Sequence, residues 1–292
     1  MVKVTVPATS ANLGPGFDTL GLALNLYNVY TFEEHEDLII EGCPRIFRNK
    51  GNLLYKSFEI TANKLGKEVN GLKISMNTKI PISRGLGSSS ACIVAGVFGA
   101  NALYKGNLSV DEMFKIAVAI EGHPDNIAPC VYGGLTASLL HKDAPYTVKY
   151  EISDKLKFCA LIPDFETSTE QARKVLPKMI DFNDAVFNIS RVSVLLKALE
   201  KGNIGLISIA LRDKLHQRYR AELIHELDGV TEICIRDGSS AIYISGSGPT
   251  IINIVDDDRF IERIKNSISM LEHNWKIKLL NVDKKGTKVE IL

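Results

Sequence analysis

Val2, Val4 and Val6 alternate with Lys3 and Thr5, the two-residue period of a strand with one buried face, and Pro7 is expected to stop it. A loop of small and polar residues over 8–18 comes next, followed by apolar strand-like runs at 20–24 and 27–33. Asn52 stands where a helix cap is needed for a helix ending near Gly66, and 72–76 reads as a further strand. Ser109-Val-Asp-Glu112 is a capping box, which predicts a helix over 110–121 broken by Gly122 and Pro124. Gly133-Gly134 punctuates the chain before a strand over 135–140.

The stretch 142–154 is charged and reads as a loop, and the pattern restarts with a strand over 156–162. Helical periodicity dominates 169–227, a strand over 241–245 runs into Gly246-Ser-Gly-Pro249, and the tail adds an amphipathic helix over 257–273 and strands over 276–282 and 288–292. This irregular mixture lacks the β-α alternation of a doubly wound sheet and indicates an α+β class. The composition change between 141 and 156 suggests two domains, 1–150 and 151–292.

One run departs from these patterns. Between Gly85 and Tyr104 there is no charged side chain, and the run opens on Pro81-Ile-Ser-Arg-Gly-Leu-Gly-Ser-Ser-Ser-Ala91. It is about long enough to span a bilayer, but its serines, glycines and asparagine favour a helix buried on all sides in a protein core. Gly85 and Gly87 allow a sharp turn and close approach to a ligand, and the serines place free helix amides where an anion is favoured. Ordinary loop-and-cap chemistry accounts for the same residues, so the run by itself leaves phosphate binding and capping both open.

With 35 basic and 34 acidic residues the net charge is +1, so nothing points to a nucleic-acid or membrane surface, and any phosphate site must be local. The five cysteines are scattered and never form a C-x-x-C pair, and the histidines show no metal-ligand spacing. These features fit a reducing cytosol, and Met1-Val-Lys-Val reads as strand rather than as a targeting segment, so the expected location is the cytoplasm.

The serine loop lacks the lysine and glycine order of a Walker loop and the third glycine of a dinucleotide fingerprint. With three other segments it resembles the GHMP small-molecule kinase superfamily, and within it the homoserine kinase family. Those segments are Pro7-Ala-Thr-Ser-Ala-Asn-Leu-Gly-Pro-Gly-Phe-Asp18, Glu121-Gly-His-Pro-Asp-Asn126 and Ser245-Gly-Ser-Gly-Pro-Thr250. The resemblance covers nearly the whole chain, and Ser90 departs mildly from the alanine or glycine usual at its position.

The resemblance implies a two-domain architecture, a mixed-sheet domain carrying the phosphate loop followed by a ferredoxin-like domain, with the site between them. It implies transfer of a phosphoryl group from ATP, with Mg2+, to the side-chain hydroxyl of L-homoserine in threonine biosynthesis, by an enzyme often found as a homodimer. A mevalonate-type acceptor and a non-catalytic sensor on the same scaffold are the alternatives.

By that comparison Pro81, Ile82, Ser83, Arg84, Gly85, Leu86, Gly87, Ser88, Ser89, Ser90 and Ala91 surround the ATP phosphates. Asn52 lies near the base, a role that competes with helix capping, and Ser88 with Glu121 holds the metal. Asn12, Asp18, His123, Asp125, Thr169, Arg173, Arg220 and Gly248 face the amino acid, Asp18 suiting an ammonium group and the arginines a carboxylate. Arg218 competes with Arg220 for that assignment. Asn126 occupies the position where other members are thought to use an aspartate. Because an amide cannot accept a proton as a base, catalysis would rest on positioning, with Arg173 contributing and Asp125 as the second-ranked alternative base.

Overall fold

The computed structural model describes residues 1–292. The first half comprises β1 (Val2–Ala11), β2 (Leu20–Glu34), β3 (Leu38–Glu41), α1 (Leu53–Lys64), β4 (Leu72–Asn77), α2 (Ser88–Leu103), α3 (Val110–Glu121), α4 (Pro124–Tyr132), β5 (Leu135–His141) and β6 (Ala144–Tyr150). After β7 (Lys157–Ile162) come α5 (Thr169–Lys174), α6 (Phe182–Lys201), α7 (Ile204–Ala210), α8 (Gln217–Arg220), α9 (Leu227–Arg236), β8 (Ile242–Ile244), β9 (Ile251–Val255), α10 (Phe260–Ile268), β10 (Lys276–Leu280) and β11 (Lys288–Ile291).

Two sheets organise these elements. The larger has the order β11-β1-β2-β4-β3, with the β5–β6 hairpin attached to β2; only β3 and β4 run parallel. The smaller has the order β10-β7-β9-β8, the fourth-first-third-second arrangement of a ferredoxin-like unit, with helices between its first and second and its third and fourth strands. Because β11 pairs antiparallel with β1, a cut at residue 150 leaves the last strand of 151–292 on the first sheet.

The continuous apolar sequences of β7 and β9 follow from burial of the small sheet on both faces. Phe158, Ala160, Ile252 and Ile254 point into the main core with Val4, Phe32 and Val94, whereas Cys159, Leu161, Ile251 and Val255 meet α9 and α10 in a second cluster around Phe260 and Trp275. α2 is buried from Ser90 to Ala100 except at Cys92, and packs against α1, α3, α4 and β1. No helix is long and apolar enough to cross a membrane.

Three local expectations need correction. Pro7 does not end β1: it sits at a bulge, where the partner in β2 jumps from Tyr27 to Leu24, and a bulge tolerates the missing amide donor. The runs at 20–24 and 27–33 are one strand that passes through this irregularity. The stretch read as a charged loop contains β6, an edge strand joined to β5 by a turn with Lys142 and Asp143 both at positive φ. Tyr146, Val148 and Tyr150 already alternate there, but their exposed positions are surrounded by polar residues that obscure the period.

Candidate active site

The phosphate-loop segment reaches α2 through two glycines whose conformations are dictated by their neighbours. Gly85 has φ +70, and a Cβ there would lie 2.2 Å from the Ser245 carbonyl oxygen. Gly87, the residue that starts α2, has φ +71, and its Cβ would lie 1.9 Å from Thr9 Oγ1. The first helical hydrogen bond runs from Ala91 N to Gly87 O, so the amides of Ser88, Ser89 and Ser90 face the cleft as the unsatisfied start of a helix. Ser245 fastens the 245–249 turn to this loop by donating from Oγ to Gly85 O at 2.6 Å.

A cleft of about 200 Å³ opens at this helix mouth, and Ile82 is the one hydrophobic residue lining it. So polar a lining suits a small, charged ligand. The structure brings Asn12, Asp18, Ile82, Ser83, Arg84, Gly85, Gly87, Ser88, Ser89 and Ser90 to this cleft together with Glu121, His123, Asp125, Asn126, Thr169, Arg173 and Arg220. Pro81, Leu86 and Ala91 lie off its wall, the last two buried in the core, and Gly248 packs behind it against Ile224. Asn52 is also outside: its Oδ1 caps α1 by accepting from Leu54 N, and its Nδ2 donates to Phe47 O. Arg218 pairs with Asp184 away from the cleft.

Glu121, at the end of α3, meets two of the serines. Its carboxylate accepts from Ser89 Oγ and from Ser90 Oγ, each at 3.1 Å, whereas Ser88 makes no such bond. Convergent carboxylate and hydroxyl oxygens form a hard donor set of the kind magnesium takes. Arg84, the basic residue of the loop, makes several protein contacts. It donates to the carbonyls of Pro163, Asp164 and Ile82 and pairs with Glu166.

The opposite end of the cleft is ionic. Arg173 donates to both oxygens of Asp18, at 2.9 and 3.1 Å, in a half-exposed bidentate pair. Arg220 is buried; its Nη1 donates to Gly246 O at 2.7 Å and its Nε to Ala172 O at 3.2 Å, so only part of its fork is free for a ligand. Burial, and then the Arg173 charge, push the Arg220 guanidinium down to about 10. His216 supports it: Nε2 donates to Gly14 O, and burial keeps the ring below its ordinary pKa, leaving Nδ1 as an acceptor towards Arg220. The Phe17 ring lies near both arginines, its centroid 5.7 Å from Arg173 and 5.0 Å from Arg220.

Asp125 sits in the first turn of α4, almost wholly buried. Desolvation, and then the Asp18 charge, push its carboxyl up to about 7. Asn126 is beside it, its Oδ1 accepting from Thr9 Oγ1 at 2.8 Å. Gly246, in the tight turn that the resemblance sets against the site, lines the cleft; Thr167 and Ser247 also line it, and Phe17 and Thr9 support it, without a site role legible in the sequence. Phe17 and Thr9 lie within the quoted 7–18 motif, whose polar residues drew attention to Asn12 and Asp18 instead.

The family model "GHMP kinases N terminal domain" matches residues 52–134, and "GHMP kinases C terminal" matches 195–270. A homoserine kinase of Clostridium botulinum (strain Kyoto / Type A2) is 47% identical over 292 residues, covering 99% of this chain and 98% of the relative. That of Clostridium beijerinckii is 43% identical over 293 residues, with the same coverage. The crystal structure of homoserine kinase from Cytophaga hutchinsonii superposes with a TM-score of 0.86 at 28% identity, covering 99% of this chain and 97% of that one. The mevalonate kinase of L. major in complex with R-mevalonate shares the fold, with a TM-score of 0.77 at 16% identity over 97% of this chain and 96% of its own.

Proposed function

Because the chain belongs to the GHMP kinases, within their homoserine kinase branch, we propose that it transfers the terminal phosphoryl group of ATP to the side-chain hydroxyl of L-homoserine. The product is O-phospho-L-homoserine. The observation that carries this reading is the Asp18–Arg173 pair, which faces the free amides at the mouth of α2 across a single cleft.

The pair explains the choice of acceptor. A zwitterion entering the cleft exchanges one ion pair for two, its ammonium taking Asp18 and its carboxylate taking Arg173 and the free part of Arg220. A hydroxy acid without an ammonium group would take Arg173 and leave Asp18 beside the buried Asp125 without a counter-charge, which a low-dielectric site penalises. The α2 amides bind the phosphates and aim the terminal group at the hydroxyl. Magnesium, when bound, neutralises phosphate charge; Glu121, Ser89 and Ser90 form the donor set suited to hold it.

Asn126 stands at the reacting end and offers no base, so it orients the reactants while the hydroxyl proton leaves to phosphate or solvent. The loose transition state of phosphoryl transfer makes little demand on a base. Five unpaired thiols fit a cytoplasmic location, and a homodimer is the assembly the family resemblance suggests.

Purified protein given ATP, magnesium and either homoserine or mevalonate tests the assignment by ADP release. Turnover with homoserine alone is expected. Turnover with mevalonate alone would overturn the acceptor, and ADP release with neither would leave a ligand sensor on a kinase scaffold.

A further inference from the structure

Thr9 is fully buried in β1 and is placed against both halves of the reaction. Its backbone amide donates to Leu86 O of the phosphate loop at 3.2 Å, and its Oγ1 occupies the space that a side chain at Gly87 would fill. The same Oγ1 donates its one proton to Asn126 Oδ1 at 2.8 Å. A hydroxyl in the donor role selects between the two faces of the Asn126 amide. With Oδ1 held by Thr9, Nδ2 has no protein partner, and Asn126 lines the cleft.

We propose that Thr9 is a positioning residue that fixes the Asn126 amide so that Nδ2, a donor only, faces the transferred phosphoryl group. This rests on the kinase reading given above. In this arrangement Asn126 stabilises charge on the phosphoryl oxygens, and the alcohol proton does not pass to it. Because Thr9 touches the loop backbone at Leu86 and Gly87, a single side chain sets the distance between the phosphate cradle and the amide. Without Thr9 the amide could rotate to present Oδ1, an acceptor, to an anion, which is repulsive.

The test combines Thr9→Val, which keeps the volume and removes the donor, with Thr9→Ser, which keeps the donor, and with both Asn126→Ala and the double variant. Steady-state kinetics for homoserine and ATP are the readout. Thr9→Val is expected to lower kcat by about 10- to 100-fold, the scale of a misplaced catalytic group, with both KM values little changed. Thr9→Ser should stay within a few-fold of the parent. In the Asn126→Ala background, Thr9→Val should add nothing, because the group it positions is gone.

Multiplicative losses in the double variant, or a Thr9→Val effect confined to KM, would overturn the proposal, as would a Thr9→Val kcat within twofold of the parent. Should Thr9→Val not fold, Thr9→Ala, which also removes the donor, takes its place with the same expectations. Parent turnover of homoserine is measured alongside. A parent that does not turn homoserine over defeats the kinase assignment, whereas an active parent with an unaffected Thr9 variant defeats only the Thr9 inference.

Discussion

At the mouth of α2 Arg84 is turned to carbonyls and Glu166, and Gly85 and Gly87 shape the backbone that leads into the helix amides. At the acceptor end four ionisable side chains, Asp18, Asp125, Arg173 and Arg220, crowd together, and two of them are displaced from their ordinary titration range. The first end is built on backbone shape, with Glu121 as its carboxylate; the second is built on charge. Shape fails abruptly when a contact becomes a collision, whereas charge weakens in graded steps.

The largest expected effect comes from Gly87→Ala. The new Cβ would fall 1.9 Å from Thr9 Oγ1 at φ +71, so either the loop or Thr9 must move. We expect kcat/KM to drop by about 100-fold or more, the scale of an ångström misplacement in a catalytic site. Gly122→Ala is the control, because its φ of +88 is also strained but its Cβ meets open space. Circular dichroism verifies that both fold, and similar kinetics in the two variants would mean that backbone strain, not the collision, governs the mouth.

Next in size is Arg173→Ala. Loss of a charge-assisted contact should raise the homoserine KM by about 10- to 100-fold while leaving the ATP KM nearly constant. An equal rise in both would erase the division of the cleft into two differently built ends.

The smallest effect, and the most specific to charge, concerns Asp125. Its folded pKa of about 7 lies above the ordinary 3.8, so the folded state holds a proton that the unfolded chain releases. That contribution is complete below about 3.8 and is lost as pH rises through about 7. Urea unfolding between those limits should show a decline in stability with rising pH that is absent in Asp125→Asn. Parallel profiles for the two proteins would remove Asp125 as the buried acid.

Much of the site could be read from the sequence because its parts are turn and cap residues with local chemical signatures. Gly87 before three serines, the Ser109–Glu112 capping box and the break after Glu121 each announce a backbone event, and the structure has each of them. What escaped notice depends on side chains that meet across long separations. Phe17 matters because Arg173 and Arg220 both come within reach of its ring, and Thr9 because Asn126, 117 residues later, rests on it. Ser88 and Glu121, the pair the resemblance implies for the metal, both line the cleft, while the hydrogen bonds from Ser89 and Ser90 to Glu121 come from the turn of α2 and carry no local signature. The strand over 288–292 is legible in the sequence, but its pairing with β1 is not, because the four exposed residues of β11 carry no buried-face pattern to mark their return.

That returning strand has a bearing on how the chain is made. β1 leaves the ribosome long before its outer neighbour β11, so one edge of Val2–Thr5 stays open until β11 follows. An uncovered strand edge pairs readily with other chains. Lys3, which pairs with Glu290 once β11 docks, meanwhile stands on that edge as a charged deterrent against premature partners.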